Sequence, residues 1–286
     1  MVPNDMSRRA FLAAGGSTLL LAACGGSGGD AKVDTADPAT EGAAQGLRVS
    51  SDLYADPAPQ RLAFVVLEDN QSVVAPTSIT LAPDRGSAGA PLTATYRTDG
   101  LPEGRGVYTV DAVLPTAGVW KGTIHSGRDE LPLFVEVLGT PNAPIPGSAA
   151  PRAASPTVTA PLGVDPLCTR DPACDLHSRS LDQVLGAGRP VAVMFATPAR
   201  CQTQYCGPVL DQLLSVADQY RDRVDLVHVE IYRDATSNAV VPTVEAWSLQ
   251  SEPWLFALDG AGVAQGRLDG AFATSEVTAL LDRVAS

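Results

Sequence analysis

The sequence predicts an all-β domain followed by an α/β domain, and three observations predict it. Between residues 47 and 138, short β-branched or alternating runs recur with Gly and Pro turns between them, the pattern of an antiparallel sandwich. Beyond residue 167, continuous apolar runs alternate with helical patterns, as a buried parallel sheet requires. Between the two, the 28 residues from Gly139 to Pro166 contain seven prolines, a density that favours extended backbone over helix or central strand.

The β runs fall at 61–68 (RLAFVVLE), 78–82 (SITLA), 93–97 (TATYR), 107–114 (VYTVDAVL), 119–125 (VWKGTIH) and 133–138 (LFVEVL). Tyr108, Val110, Ala112 and Leu114 alternate, Pro115 to Gly118 offers a turn, and Val119 to His125 returns, so a hairpin is expected there. Trp120 belongs in its core. His125, with no other His or Cys nearby, is expected at the rim. The region resembles small immunoglobulin-like domains of bacterial surface proteins, an architecture that assigns no function.

In the second domain, Ser180 precedes a short helix ending at Gly186 or Gly188, and residues 190–196 (PVAVMFA) form a buried strand. Residues 208–222 place Leu210, Leu213, Leu214 and Ala217 on one helical face, and residues 224–232 (VDLVHVEIY) follow as the next buried strand. A short helix at 243–249, the step Glu252-Pro253, strands at 254–258 and 263–268, and a helix at 275–284 complete the order.

The chain of 286 residues is 45% hydrophobic and 18% charged, enough for two modest cores. Its 20 Lys and Arg against 32 Asp and Glu give a net charge of -12, which argues against nucleic acid or an anionic membrane surface as the main partner. Residues 1–23 read as an export signal: a polar start, Arg8 and Arg9, then an apolar run too short to span a bilayer. Residues 24–46, rich in Gly, Ala and Asp, read as a flexible tether. The domains are then 47–138 and 167–286, with 139–166 as linker.

Two resemblances assign the N-terminus. Ser7, Arg8, Arg9, Ala10, Phe11 and Leu12 resemble the core of a twin-arginine signal, with the general secretory route as the alternative. Leu21, Ala22, Ala23 and Cys24 resemble the lipobox of bacterial lipoproteins, which implies acylation of Cys24 and attachment to the outer face of the cell membrane.

From Leu176 to Ser286 the order of elements resembles the thioredoxin fold. Cys206-Gly207-Pro208 follows the first strand as in the thioredoxin C-G-P-C motif, but Val209 replaces the second cysteine. Pro253 occupies the position of the thioredoxin cis-proline, which shapes the substrate groove. Cys201 lies five residues upstream of Cys206, so a redox pair would be C-x4-C. Pro208 is tolerated only in a first turn, which starts the helix near Cys206 or Gly207 and puts Cys206 at the positive end of the dipole. That placement suggests Cys206 as attacking thiol and Cys201 as resolving thiol in thiol-disulfide exchange with protein thiols outside the cytoplasm.

Other readings stay open. Thr197, Pro198, Cys201 and Cys206 resemble the T-P-G-C-x4-C of bacterioferritin-comigratory peroxiredoxins, with Arg200 as an extra residue and Arg233 or Arg267 as the required arginine. A structural Cys201–Cys206 disulfide in a non-catalytic binding module is the second reading. Metal binding by Cys201 and Cys206 with His177 or His228 resembles copper chaperones on this fold, but the spacing departs, so no metal or cofactor is expected. His228 is expected in the core. Once Cys24 is lipidated, four cysteines remain, and Cys168 with Cys174 is expected to form a structural disulfide, or else a second redox relay. His177 is expected as an exposed loop residue.

Overall fold

The computed structural model describes residues 43–200 and 205–285. Arg8, Arg9, Cys24 and Cys201 lie outside them. The N-terminal half contains β1 (Gln45–Arg48), β2 (Asp56–Glu68), β3 (Gln71–Ser72), β4 (Thr77–Pro83), β5 (Leu92–Thr93), β6 (Thr95–Arg97), β7 (Val107–Leu114), β8 (Gly118–Ser126) and β9 (Asp129–Val137). They form two antiparallel sheets, ordered β1-β2-β7-β6 with β3 on β2, and β5-β4-β8-β9. Gln45 and Gly46, read from the sequence as tether, belong to β1.

Period-two alternation sends Leu62, Phe64, Tyr108 and Val110 from one sheet against Ile79, Trp120, Ile124 and Val135 from the other, in a single core. The expected hairpin across Pro115–Gly118 does not form. β7 pairs with β2 and β6, and β8 with β4 and β9, so the turn crosses from one sheet to the other. Leu114 and Trp120 both face the core from opposite sheets, Pro115 has no N–H to continue a ladder, and the Trp120 indole donates to the Thr116 carbonyl at 2.9 Å to fix the crossing. Tight hairpins form instead at β2–β3, closed between Glu68 and Gln71, and at β8–β9, closed between Ser126 and Asp129 with Gly127 at φ 61.

The C-terminal half contains α1 (Leu181–Val184), β10 (Val191–Phe195), a 3-10 turn (Pro198–Arg200), α2 (Cys206–Tyr220), β11 (Asp225–Val229), α3 (Pro242–Ala246), β12 (Trp254–Leu258), β13 (Ala264–Asp269) and α4 (Thr274–Asp282). The sheet order is β11-β10-β12-β13, with β10 parallel to β11 and antiparallel to β12, and β12 antiparallel to β13. This topology is thioredoxin-like. Val191, Val193 and Phe195 face α1 and α3, whereas Ala192 and Met194 face α2 and α4, so β10 is buried on both sides.

The proline-rich stretch forms no helix and lies along the α/β half. Gly147 N–H donates to the Ala264 carbonyl at 2.8 Å and Ala150 N–H to the Gly262 carbonyl at 3.0 Å, while Leu181 N–H donates to Ser155 Oγ at 3.0 Å. Ala143, Ala150 and Val164 join the core on the α1/α3 side. Prolines suit such a strap because they remove donors that a packed, unpaired backbone would otherwise leave unsatisfied.

The two halves belong to one compact unit. In β2, Ala63 and Val65, on the side away from the sandwich core, are also buried and pack with Val107, Ala271 and Tyr205. Polar clamps flank this contact. Arg61 pairs with Glu276 at 2.7 Å and donates to the Ala271 carbonyl at 2.7 Å. Arg267 pairs with Asp52 at 2.7 Å, with side chains 12% and 3% exposed, and donates to the Asp52 carbonyl.

Removing one partner of a buried pair strands the other charge. Asp52→Ala is therefore expected to lower unfolding free energy by roughly 3 kcal/mol, measured by denaturant titration. Lys121→Ala breaks the Lys121–Asp84 pair, whose side chains are 60% and 57% exposed, and is expected to cost less than about 0.5 kcal/mol.

Candidate functional site

The site lies at the C-terminal end of β10. Phe195, the last residue of β10, pairs with Trp254, the first of β12, and the chain reaches α2 just beyond β10 and leaves Pro253 just before β12. Topology thus brings the start of α2 and Pro253 to one end of the sheet. The Glu252–Pro253 peptide is cis, and Gly270 N–H donates to the Pro253 carbonyl at 3.0 Å.

Cys206 is the first residue of α2 and is disulfide-bonded; its partner lies outside the described residues. The helix begins there because Pro208 fits a first turn, where its missing N–H costs nothing. No side chain caps the helix and no acidic residue sits in its first turn, so the positive end of its dipole is available to stabilise a thiolate. Cys206 is 0% exposed, packed with Met194, Ala196, Leu255 and Phe272. An attacking thiol must meet a disulfide on another molecule, and in this disulfide-bonded form Cys206 presents no surface to one.

Tyr205, adjacent to Cys206, lines an open cavity of about 550 Å³ between this end of the α/β half and the sandwich. Leu47, Val49, Val65 and Leu67 supply an apolar wall, Arg48 and Arg105 supply charge, and Gly270, bonded to Pro253, closes the far side. The sandwich thus contributes a surface to the disulfide region.

The residues of the peroxiredoxin reading are engaged elsewhere. Thr197 is buried, and its Oγ1 accepts the Ile231 N–H at 2.9 Å. Arg267 is held by Asp52 and stacks over Tyr54 and Trp254, while Arg233 donates to the Val240 carbonyl at 3.3 Å.

A second sulfur site lies beside the first. Cys168 and Cys174 are free thiols with Sγ atoms 3.8 Å apart, so the structural disulfide expected between them is not formed. The sulfurs turn instead toward two histidines. His228 Nδ1 lies 3.3 Å from Cys174 Sγ, 3.9 Å from Cys168 Sγ and 3.0 Å from His177 Nε2. His177 is 2% exposed, not the exposed loop residue expected, and His228 is fully buried on β11. In the parallel register His228 lies opposite Met194, on the α2 side of the sheet. His228 N–H donates to the Leu176 carbonyl at 2.9 Å, which ties the 168–177 loop to the strand edge.

The thiols behave as a pair. The hydrogen bond with Cys174 moves the Cys168 thiol well down, and the same contact with Cys168, with burial, pushes Cys174 up. Glu230, next but one to His228, accepts from Thr169 N–H at 2.5 Å and Thr169 Oγ1 at 3.0 Å, fixing the start of the same loop; burial raises its pKa. The sequence signals for this cluster are the spacing C-x5-C-x2-H and a histidine interrupting an apolar strand.

No family model and no curated protein matches the chain. A crystal structure of a thioredoxin-like superfamily protein is similar to 38% of it, with 12% identity, a TM-score of 0.28 and 89% of that chain covered.

Asp269, opposite Trp254 at the same sheet end, accepts the Ser51 N–H and, at 2.8 Å, the Ser51 hydroxyl. Burial raises its pKa above the ordinary 3.8, against the lowering effects of Arg61, Ser51 and Arg267. A carboxyl raised in the folded state contributes stability that is present below its unfolded pKa and is lost as pH rises through the folded value. The Asp269→Asn variant lacks this loss, so its stability relative to the parent, from denaturant midpoints, is expected to improve from pH 4 toward neutral pH; a constant difference contradicts the assignment.

Proposed function

We propose that this protein is a membrane-anchored, extracytoplasmic thiol-disulfide exchange protein, acting through Cys206 and Cys201 with Pro253 shaping the groove. The observation that carries the reading is the disulfide at the first residue of α2, at the sheet end to which cis-Pro253 also belongs. In exchange, a thiolate attacks a substrate disulfide, a mixed disulfide forms as the substrate's leaving thiolate departs, and the second thiolate displaces the substrate's other sulfur. The burial of Cys206 suits it to the resolving step, with Cys201 as the attacking thiol. The helix N-terminus then lowers the cost of the Cys206 thiolate. An extended segment of a substrate protein fits the cavity beside Tyr205 better than a small molecule does, because its apolar wall is a sheet face and it is open to solvent.

The anchor rests on the lipobox-like Leu21-Ala22-Ala23-Cys24. Among the described residues no helix is long and apolar enough to cross a membrane. The complete burial of Cys206 also favours a second reading, a binding module with a structural disulfide.

In cells, Cys206→Ser leaves Cys201 without a resolving partner and is expected to accumulate mixed disulfides with other proteins in the membrane fraction, seen as reductant-sensitive adducts. The Cys201→Ser variant is expected to accumulate few. Adding Cys24→Ser to Cys206→Ser is expected to move the adducts to the soluble fraction. Adducts in neither cysteine variant favour the binding module.

A further inference from the structure

We propose that Cys168, Cys174, His177 and His228 bind one zinc ion in a closed, four-coordinate site, independently of any exchange chemistry at Cys206. The four ligand atoms lie within 4.8 Å of one another. Tetrahedral zinc, with Zn–S near 2.3 Å and Zn–N near 2.05 Å, sets S···S at about 3.8 Å, S···N at about 3.6 Å and N···N at about 3.3 Å. The corresponding separations here are 3.8 Å between the sulfurs, 3.3 and 3.9 Å from His228 Nδ1 to them, and 3.0 Å between the histidine nitrogens. The nitrogen pair and the shorter sulfur–nitrogen contact must each open, and the longer one close, by about 0.3 Å, while His177 Nε2 stands within 4.8 Å of both sulfurs and has room to move in.

The surroundings are those of a ligand set. His228 Nε2 lies 2.9 Å from the Ala196 carbonyl, which can only accept, so Nε2 carries the hydrogen and Nδ1 turns its lone pair to the sulfurs. The Cys168 sulfur accepts the Cys174 backbone N–H at 3.4 Å, which orients it toward the site. Two thiolates and two neutral imidazoles balance the charge of Zn2+, so the buried complex is neutral. Binding forms two Zn–S and two Zn–N bonds and releases to solvent whatever protons the two thiols still hold; no electron moves. Mixed sulfur and nitrogen donors in tetrahedral arrangement select zinc over the harder magnesium or calcium. His177 Nδ1 is buried without a partner, which makes His177 the less well oriented histidine.

The test uses the full-length protein in detergent, loaded with zinc under mild reductant and exchanged into metal-free buffer. About one zinc per chain is expected to remain, and cobalt loading is expected to give the visible bands of tetrahedral thiolate coordination. Zinc is expected to slow alkylation of Cys168 and Cys174 in the unmutated protein at least tenfold, and a chelator to restore it. Cys168→Ser and His228→Ala are expected to lose the metal, His177→Ala to weaken it, and the Cys201→Ser/Cys206→Ser double variant to retain it. No retained zinc, with alkylation of the two thiols equally fast with and without it, overturns the proposal. So does a Cys168–Cys174 disulfide that forms in the presence of equimolar zinc.

Discussion

The constraint on which the rest depends is the two-sided burial of β10. All five of its residues are buried, with α1 and α3 covering one face and α2 and α4 the other. A strand so covered cannot slip by one residue without reversing every side chain, so its register with β11 and β12 is fixed. That register fixes what stands at its end: Cys206 at the start of α2, Pro253 before Trp254, and His228 opposite Met194 on the α2 side. Ala196, the next residue after β10, then presents its carbonyl to His228 and its side chain to the core that encloses Cys206. Both sulfur sites thereby meet the same strand end.

A second consequence concerns the sandwich. Its sheet β1-β2-β7-β6 is buried on both faces in the middle of β2, because Ala63 and Val65 are small enough to dock against Ala271 and the chain around Tyr205. The clamps Arg61–Glu276 and Arg267–Asp52 hold that contact in register. The β half therefore forms one wall of the cavity beside Cys206.

Much of the α/β order is legible in the sequence, because continuous apolar runs such as PVAVMFA and a long helical face leave few alternatives. The start of α2 is legible too, since Pro208 permits only a first turn. The sandwich strands are legible as strands, but their pairing is not. Alternation in β7 and β8 says which residues face a core without saying from which sheet, and the Pro115–Gly118 turn looks the same as a hairpin or as a crossing. The proline-rich stretch reads as a spacer because prolines mark unpaired backbone, whereas the same lack of donors lets it lie against a domain. The Cys168–Cys174 pairing fails for a different reason. Counting cysteines pairs neighbours, but the partner of both is His228, 54 residues beyond Cys174, reached only when β11 and the loop meet.

A Cys206 disulfide that serves exchange differs from a staple in its reduction potential. Thiol alkylation and mass spectrometry across a glutathione and dithiothreitol series read the pair containing Cys206 separately from Cys168 and Cys174. A potential between about -270 and -120 mV, the span of exchange catalysts, is the result expected. A pair that stays oxidised below about -300 mV, where structural disulfides lie, contradicts an exchange role and leaves a stapled binding module.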